Sequence, residues 1–454
     1  MARVILFALL ILIAGGVYIN SLPGGFHYDD FPLLLDNPVV TSGVFPFEIF
    51  LGHYWGRPLT LFSFHWNYQL FGDNPFFFHL FSYFLHLIVV VLLFALARRY
   101  SRNDYLAFAT ALIFAVHPIQ TQAVNYVWSR SVLLMSVFVL LCLLFCRRYP
   151  LLGLVFLQLA IWSRAEAIVL VVPLIVMIPS VRKSIVIMTG VNAAILVGYL
   201  CLTPPENVAW THSDPVSFWV AAPLALWKYF GLMLWPSQLT IDHPNPAGSV
   251  FLTLAALCAL AILLVGTVRL RKTCPWLLLG VSWILLFLAP SLLIPNSDLV
   301  NESRSYLAFA GFAFILAQLT GMIRRKGLGI LSLLLIVSLL YIPTTLGRNQ
   351  AWQDETLLWE EAVACAPTEL RPRYNLGVAL ARVGELFRAT MAFKEALEVS
   401  PEDDLSYAAL GYCAESRGER SEALRLYKRA LSLNPRNTYA RLRIEEFGYE
   451  GFYY

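Results

Sequence analysis

Over its first 349 residues the chain alternates long apolar runs with short polar breaks, and after that it changes to mixed-charge amphipathic helices. A helix needs about 20 apolar residues to cross a hydrocarbon core of about 30 Å. The pattern predicts about eleven spans, over 3–19, 79–97, 105–117, 132–146, 150–163, 167–179, 185–202, 250–268, 275–295, 306–322 and 328–346. Basic clusters punctuate them at Arg98-Arg99, Arg147-Arg148, Arg182-Lys183, Arg269 to Lys272 and Arg324 to Lys326. With all five on the cytoplasmic side, the N-terminus is cytoplasmic and everything after 346 is extracytoplasmic, which follows the excess of Lys and Arg in cytoplasmic loops. Residues 218–235 are apolar as well, but a crossing there would invert every later cluster, so they are expected as an interfacial or re-entrant helix on the outer side.

Composition agrees with the pattern. Apolar residues make up 58% of the 454 and charged residues 14%, against roughly 25% charged in soluble domains. Mean hydropathy is +0.65. The chain reads as a multi-pass membrane protein, with its first helix retained because no small-x-small cleavage site closes it. The net charge of +4 carries no nucleic-acid signature. Seven cysteines show no metal-ligand spacing; a bridge between Cys365 and Cys413 is left open.

The tail has a period. Pro367, Pro401 and Pro435 recur every 34 residues, around "YNLGVALARVGELFRATMAFKEALEVSP" and "AALGYCAESRGERSEALRLYKRALSLNP". These stretches resemble tetratricopeptide repeats over 370–435, with a leading half-repeat before and a capping helix after. Such repeats form an α-solenoid that holds peptide or protein and carries no chemistry of its own. The boundaries expected are a membrane domain over 1–349 and an extracytoplasmic repeat domain over 350–454.

Unusual polar residues gather at the outward ends of the spans. They lie in "GGFHYDDFPLLLDNP" (24–38), "HYWGRPLT", "HPIQTQAVNYVWSRS", "SRAEA" and "NSDLVNESRS". The spans 105–117 and 150–163 are short, so His117, Gln120, Arg164 and Glu166 are expected below the outer surface, where a charge facing lipid costs a few kcal/mol. Either they pair structurally, as Arg164 with Glu166, or they line a hydrated cavity open to the outside. Such a cavity suits a substrate carried on a lipid. Asp29 and Asp30 would stand at its mouth; as solvated loop charges they need no function, and as a site carboxylate one of them is a general base toward a hydroxyl.

These segments closely resemble the transmembrane and tetratricopeptide-repeat O-mannosyltransferases, here as a bacterial-type relative, and more distantly the protein O-mannosyltransferases of the GT-C glycosyltransferase superfamily. The resemblance implies an all-α fold, a polytopic GT-C-like membrane domain followed by the repeat solenoid. It implies a glycosyltransferase that takes mannose or another hexose from a polyprenyl-phosphate carrier. The sugar passes with inversion to Ser or Thr hydroxyls of an acceptor protein outside the cytoplasm, an acceptor that the repeats would hold. Asp29 and Asp30 match the family's acidic pair, Arg57 its Arg-Pro-Leu-Thr arginine, and His117 and Arg130 its third motif. Arg164 and Glu166 stand for a Lys-Glu pair, the Glu displaced. In a Glu-Arg-Tyr motif Arg304 and Tyr306 fit, with Glu302 one place early. Gln120 and Gln122 replace a His and a Glu, which removes two potential ligands; no metal residue is assigned, and a divalent cation is the one cofactor left open. The competing readings are a non-catalytic scaffold and an O-antigen ligase or polymerase. Acids and arginines on several outer loops weigh against the first, and the lack of one dominating central loop against the second.

Overall fold

The computed structural model describes residues 2–43, 57–177, 215–296, 298–323 and 335–450, with short pieces between 183 and 192 and between 329 and 333. Among these residues every regular element is helical. Two compact units emerge: Met1–Leu239 with Asn245–Gln353, and Thr240–Pro244 with Asp354–Tyr454.

The first unit contains α1 (Ala2–Tyr18), α2 (Pro58–Phe71), α3 (Pro75–Ser101), α4 (Asp104–Val116), α5 (Arg130–Phe145) and α6 (Pro150–Ser163). It continues with α7 (Pro215–Leu234), α8 (Val250–Arg269), α9 (Pro275–Leu293), α10 (Phe309–Gly321) and α11 (Ile342–Ala351). Among the described residues six helical segments have the length and apolarity to cross a membrane: Arg3–Ser21, Pro75–Ser101, Val127–Phe145, Val216–Leu234, Val250–Lys272 and Pro275–Leu293. The chain is a multi-pass membrane protein. Val127–Phe145 is the central helix, 72% buried, whereas Val250–Lys272 is 17% buried and turns its apolar surface outward. The helices start on short polar caps: the side chains of Asn74, Asn103 and Ser249 accept backbone N–H groups of the first turns of α3, α4 and α8. Where α9 crosses α10, Gly280 and Gly311 let the backbones touch; a Cβ on Gly311 would lie 2.6 Å from the Gly280 carbonyl oxygen.

Several expected spans take another form. Pro150–Ser163, Ala165–Val176 and Phe309–Gly321 are apolar helices of less than spanning length. The expected span 105–117 is α4, bent by 57° against Pro118–Asn125. Most of 185–202 and the first part of 328–346 lie outside the described residues, as do Arg182 and the Arg324 to Lys326 cluster. Residues 216–234, expected at the interface, form a helix long enough to cross, although its mean hydropathy of 1.3 is the lowest of the six. Arg3 and Arg98 both donate to Asp104, at 3.4 and 2.6 Å. The start of α1 and the α3–α4 turn therefore share one end of the bundle, and the loop after α1 lies at the other.

The second unit is a run of helical hairpins: α12 (Glu355–Cys365), α13 (Leu370–Arg382), α14 (Leu386–Val399), α15 (Asp404–Ser416), α16 (Arg420–Leu433) and α17 (Thr438–Glu450). The period of 34 has a local cause. Gly384 and Gly418 take φ of +84° and +79° after α13 and α15. In each case the next residue's N–H (Glu385, Glu419) closes back on Leu380 or Ala414 at 2.9 Å, a Schellman end that turns the chain into the next helix. The Leu-Gly pair has a packing cause: a Cβ on Gly377 or Gly411 would lie 2.5 Å from the ring of Phe393 or Tyr427. Thr240–Pro244 goes with this unit through Asp242, which pairs with Arg371 on α13. Cys413 is a buried free thiol, so the bridge to Cys365 is not formed.

Tyr427 is buried and its hydroxyl donates to Glu415 at 2.7 Å, so its ring has no room to retreat. Gly411→Ala should therefore cost about 1–3 kcal/mol, as overpacking does. Hydrogen exchange should quicken across α15 and α16 and leave α5 unchanged; unchanged protection in α15 would contradict the packing account.

Candidate functional site

The polar loops meet at the end of the first unit away from Arg3 and Asp104. Directly before the acidic pair, Tyr28 takes φ of +45°, a left-handed conformation that bulky L-residues rarely adopt. This turn separates the fates of the two carboxylates. Asp30 is fully buried, and its oxygens accept the backbone N–H groups of His27 at 3.0 Å and Trp128 at 2.7 Å. Asp29 is only partly buried, and its own N–H donates to the Tyr126 hydroxyl at 3.1 Å. One carboxylate is an internal fastening; the other faces the loops.

Arg57 caps α2 and lies over the Trp128 ring, 5.6 Å from its centroid. Among the described residues its guanidinium makes no hydrogen bond. Burial, then the neighbouring charge of Arg164, pulls its pKa down to about 10, and Glu166, Arg304 and Asp29 also act on it. At neutral pH it remains a cation, close to two others. Arg164 stands at the end of α6, whose 14 residues reach about 21 Å at 1.5 Å each. It donates to Glu166 at 2.8 Å and to Ser131 at 3.4 Å, so the structural pairing left open by the sequence is present. Arg304 donates to Asn296 Oδ1 at 2.8 Å and to the Asp298 carbonyl. The Tyr229 hydroxyl on α7 fastens that loop: it donates to the carbonyls of Leu299 or Asn301, at 3.2 and 3.1 Å, and accepts the Asn301 N–H at 2.9 Å. A cleft of about 260 Å³, lined by Ser217, Phe218, Asn245, Gly248, Asn296 and Leu299, adjoins Arg304 through Asn296.

Asp29, Arg57, Arg164, Glu166 and Arg304 are thus brought into one electrostatic neighbourhood. Four other expected site residues are closed into the protein interior. Asp30 is the fastening just described. Arg130, expected to hold phosphate, is fully buried; its guanidinium donates to the Ser63 carbonyl (3.3 Å), Asn67 Oδ1 (2.8 Å) and the Phe78 carbonyl (3.1 Å) and lies over the rings of Phe64 and Phe81. His117 is buried between Phe309 and Tyr341, and its Nδ1 accepts the Ile119 N–H at 3.2 Å. Tyr306 is buried with its hydroxyl 2.7 Å from His86 Nδ1. Among the described residues no three His, Cys, Asp or Glu side chains converge as a metal site would require. Trp128, Tyr126 and Tyr229 were not singled out from the sequence. Only the aromatic-amide run "NYVWS" hinted at the first two, and Tyr229 lies inside an apolar run.

Fold and site together define a polytopic helical membrane protein with a charged loop cluster and a repeat tail. Residues 405–437 match the family model for the tetratricopeptide repeat. The chain is 27% identical over 436 residues to a protein O-mannosyl-transferase of Caenorhabditis elegans, covering 87% of this chain and 63% of the relative. It is 26% identical over 476 residues to protein O-mannosyl-transferase TMTC3 of Mus musculus, covering 87% and 51%. A shorter stretch of 142 residues is 39% identical to protein O-mannosyl-transferase TMTC1 of Homo sapiens, covering 28% and 15%. Its homologues are TMTC-family protein O-mannosyl-transferases, and the chain spans less than two thirds of the length of each of these relatives.

The setting of Arg130 predicts a stability phenotype. Arg130→Lys keeps the charge and loses the fork, leaving a buried acceptor unpaired at a cost of about 1–3 kcal/mol. The variant should give less monodisperse protein in detergent and a lower melting temperature. Wild-type stability with lost activity would return Arg130 to the substrate.

Proposed function

We propose that this chain is an integral-membrane glycosyltransferase that moves mannose, the sugar in its relatives' names, from a polyprenyl-phosphate carrier to Ser or Thr hydroxyls of extracytoplasmic proteins. The convergence of Arg57, Arg164 and Arg304 with Asp29 and Glu166 carries this reading. Clustered guanidinium groups with one unbonded fork suit a phosphate group, and a partly buried carboxylate beside them suits a base. Asp29 takes the proton of the acceptor hydroxyl as its oxygen attacks the sugar's anomeric carbon. The bond from that carbon to the phosphate oxygen breaks on the opposite face, which gives inversion, and the electron pair leaves with the carrier phosphate. Arg57 and Arg304 stabilise the departing oxygens. Arg164 acts with them through the charge that Glu166 holds in place. Asp30, His117, Arg130 and Tyr306 support the loops from within. The repeats bind the acceptor polypeptide, and the membrane lipid surrounds the carrier's tail.

Purified protein given polyprenyl-phosphate mannose and a Ser/Thr-containing acceptor tests this directly. Asp29→Asn should lower transfer at least about 10²-fold, the contribution typical of a positioned base, while yield and melting temperature hold. Asp30→Asn should instead lower stability, because the amide cannot accept both N–H groups with a carboxylate's strength. Close to normal transfer by Asp29→Asn would move the base to Glu166.

The reading also needs the acidic loop and the repeats outside the cytoplasm, with the N-terminus inside. Alkaline phosphatase fused after Tyr454 in a bacterial inner membrane should be active, and green fluorescent protein fused there should stay dark. The reverse pattern would separate the repeats from the acceptor side and reject this part of the proposal.

A further inference from the structure

Two aromatic residues far apart in sequence close on the backbone of the acidic loop. The Tyr126 hydroxyl takes the Asp29 N–H at 3.1 Å. The Tyr126 ring stacks on Trp352, with centroids 5.8 Å apart and planes 26° from parallel. The Trp352 carbonyl is 2.7 Å from His27 Nε2; a carbonyl only accepts, so that nitrogen carries a proton. The His27 backbone N–H in turn donates to Asp30. Tyr126, Trp352 and His27 thus form a closed ring of contacts around Tyr28, the residue at φ +45°. All three of those side chains are buried, so the contacts are shielded from competing water.

The end of α11 is itself tied down. Asn349 donates to the Val17 carbonyl and to Asn20 Oδ1, each at 2.8 Å, and its own Oδ1 accepts from Asn125 at 2.8 Å. Asn349 therefore joins α1, the segment that carries Tyr126, and α11, which leads into Trp352. This ladder lies entirely inside the first unit, and Trp352 is two residues before Asp354, where the repeat unit begins.

We infer that Tyr126 and Trp352 are positioning residues for Asp29. They hold the strained turn so that the carboxylate presents itself at one fixed place and angle, and they touch neither substrate nor the reacting atoms. The inference rests on the reading of Asp29 as the base. A shift of about an ångström in a catalytic group is enough to cost on the order of 10²-fold in rate. Such a loss falls on kcat and spares KM, because Arg164 and Arg304 are held by other contacts, to Ser131 and Asn296.

The test is a cycle of variants in the full-length protein, with transfer kinetics and melting temperature measured on each. Tyr126→Phe removes one oxygen and keeps the stack. Its kcat should fall roughly 10- to 100-fold with both KM values within about twofold of wild type. Trp352→Ala removes the stack and should lose kcat similarly. Trp352→Phe should restore most of it, since the backbone carbonyl and an aromatic face remain. The double variant Tyr126→Phe/Trp352→Ala should be little worse than Trp352→Ala alone, as expected for residues acting through one route. Normal kcat in Tyr126→Phe, a matching rise in KM, or multiplicative losses in the double variant would each overturn the inference. Asp29→Asn run alongside separates the two levels: if it is inactive while Tyr126→Phe is normal, positioning fails and the base stands. If Asp29→Asn is active, the reading beneath the inference has failed.

Discussion

A buried carboxylate organises this site. Asp30 has no water to stabilise its charge, and moving an unpaired anion into such a place would cost several kcal/mol. It is tolerated because backbone N–H groups from two separate segments, at His27 and Trp128, point at its oxygens. The same two bonds set what surrounds it. Fixing Trp128 fixes the ring under Arg57, and fixing His27 fixes the turn that presents Asp29. The charge of Asp30 also acts on Arg130, whose own fork is spent on α2 and α3. Adjacent acids in sequence thus have opposite physical settings, one closed inward and one left toward the loops.

A second constraint comes from the break after α4. Bending a helix within the apolar layer strands carbonyls that lipid cannot bond, so the protein must satisfy them. The Ala115 carbonyl lies 3.3 Å from His86 Nε2, and the Val116 carbonyl accepts the Thr345 hydroxyl at 2.7 Å. Beyond the break, Gln120 donates to the Tyr306 carbonyl at 3.4 Å and Gln122 accepts the Ser303 N–H at 2.8 Å. Here an amide serves better than an acid. An ionised glutamate at 120 could not donate to a carbonyl, and one at 122 would bury a charge. Gln120 and Gln122 thus take part in docking the Arg304 loop.

The helical architecture was legible because apolar run length and the 34-residue period are direct imprints of membrane thickness and of hairpin packing. The Leu-Gly pair is the clearest case: Gly411 is required by the Tyr427 ring, and that need shows in the spelling. Residues 216–234 form a helix of spanning length with the lowest hydropathy of the six, and charge alternation alone cannot say whether such a helix crosses. In the site, Asp29, Arg57, Arg164 and Arg304 were found as charges on loops facing one way. Arg130 and His117 have the same kinds of side chain in the same kind of loop, and the sequence could not separate them. What distinguishes them is depth, set by the bend at His117 and by the ring cluster of Phe64, Phe78 and Phe81 around Arg130. Tyr126 and Trp352, 226 positions apart, have no local signal at all.

The charges around Arg57 bear on how the proposed reaction would be driven. Three guanidinium groups, of Arg57, Arg164 and Arg304, share one electrostatic neighbourhood with the carboxylates of Asp29 and Glu166, and Asp298 adjoins Arg304. A carrier-linked sugar phosphate is a diester with one negative charge. In the proposed transfer the phosphate gains a second negative charge as the sugar leaves, and Asp29 loses its own by accepting the hydroxyl proton. The net charge of the protein side would then rise by one as the phosphate becomes more negative by one. Arginines already held in place by Asn296, Ser131 and the Trp128 ring meet that growing charge without reorganising, which is where fixed electrostatics lower a barrier most. This coupling also gives Asp29 a reason to sit among arginines: its neutralisation by the hydroxyl proton would free their charge for the leaving group at the moment it is needed.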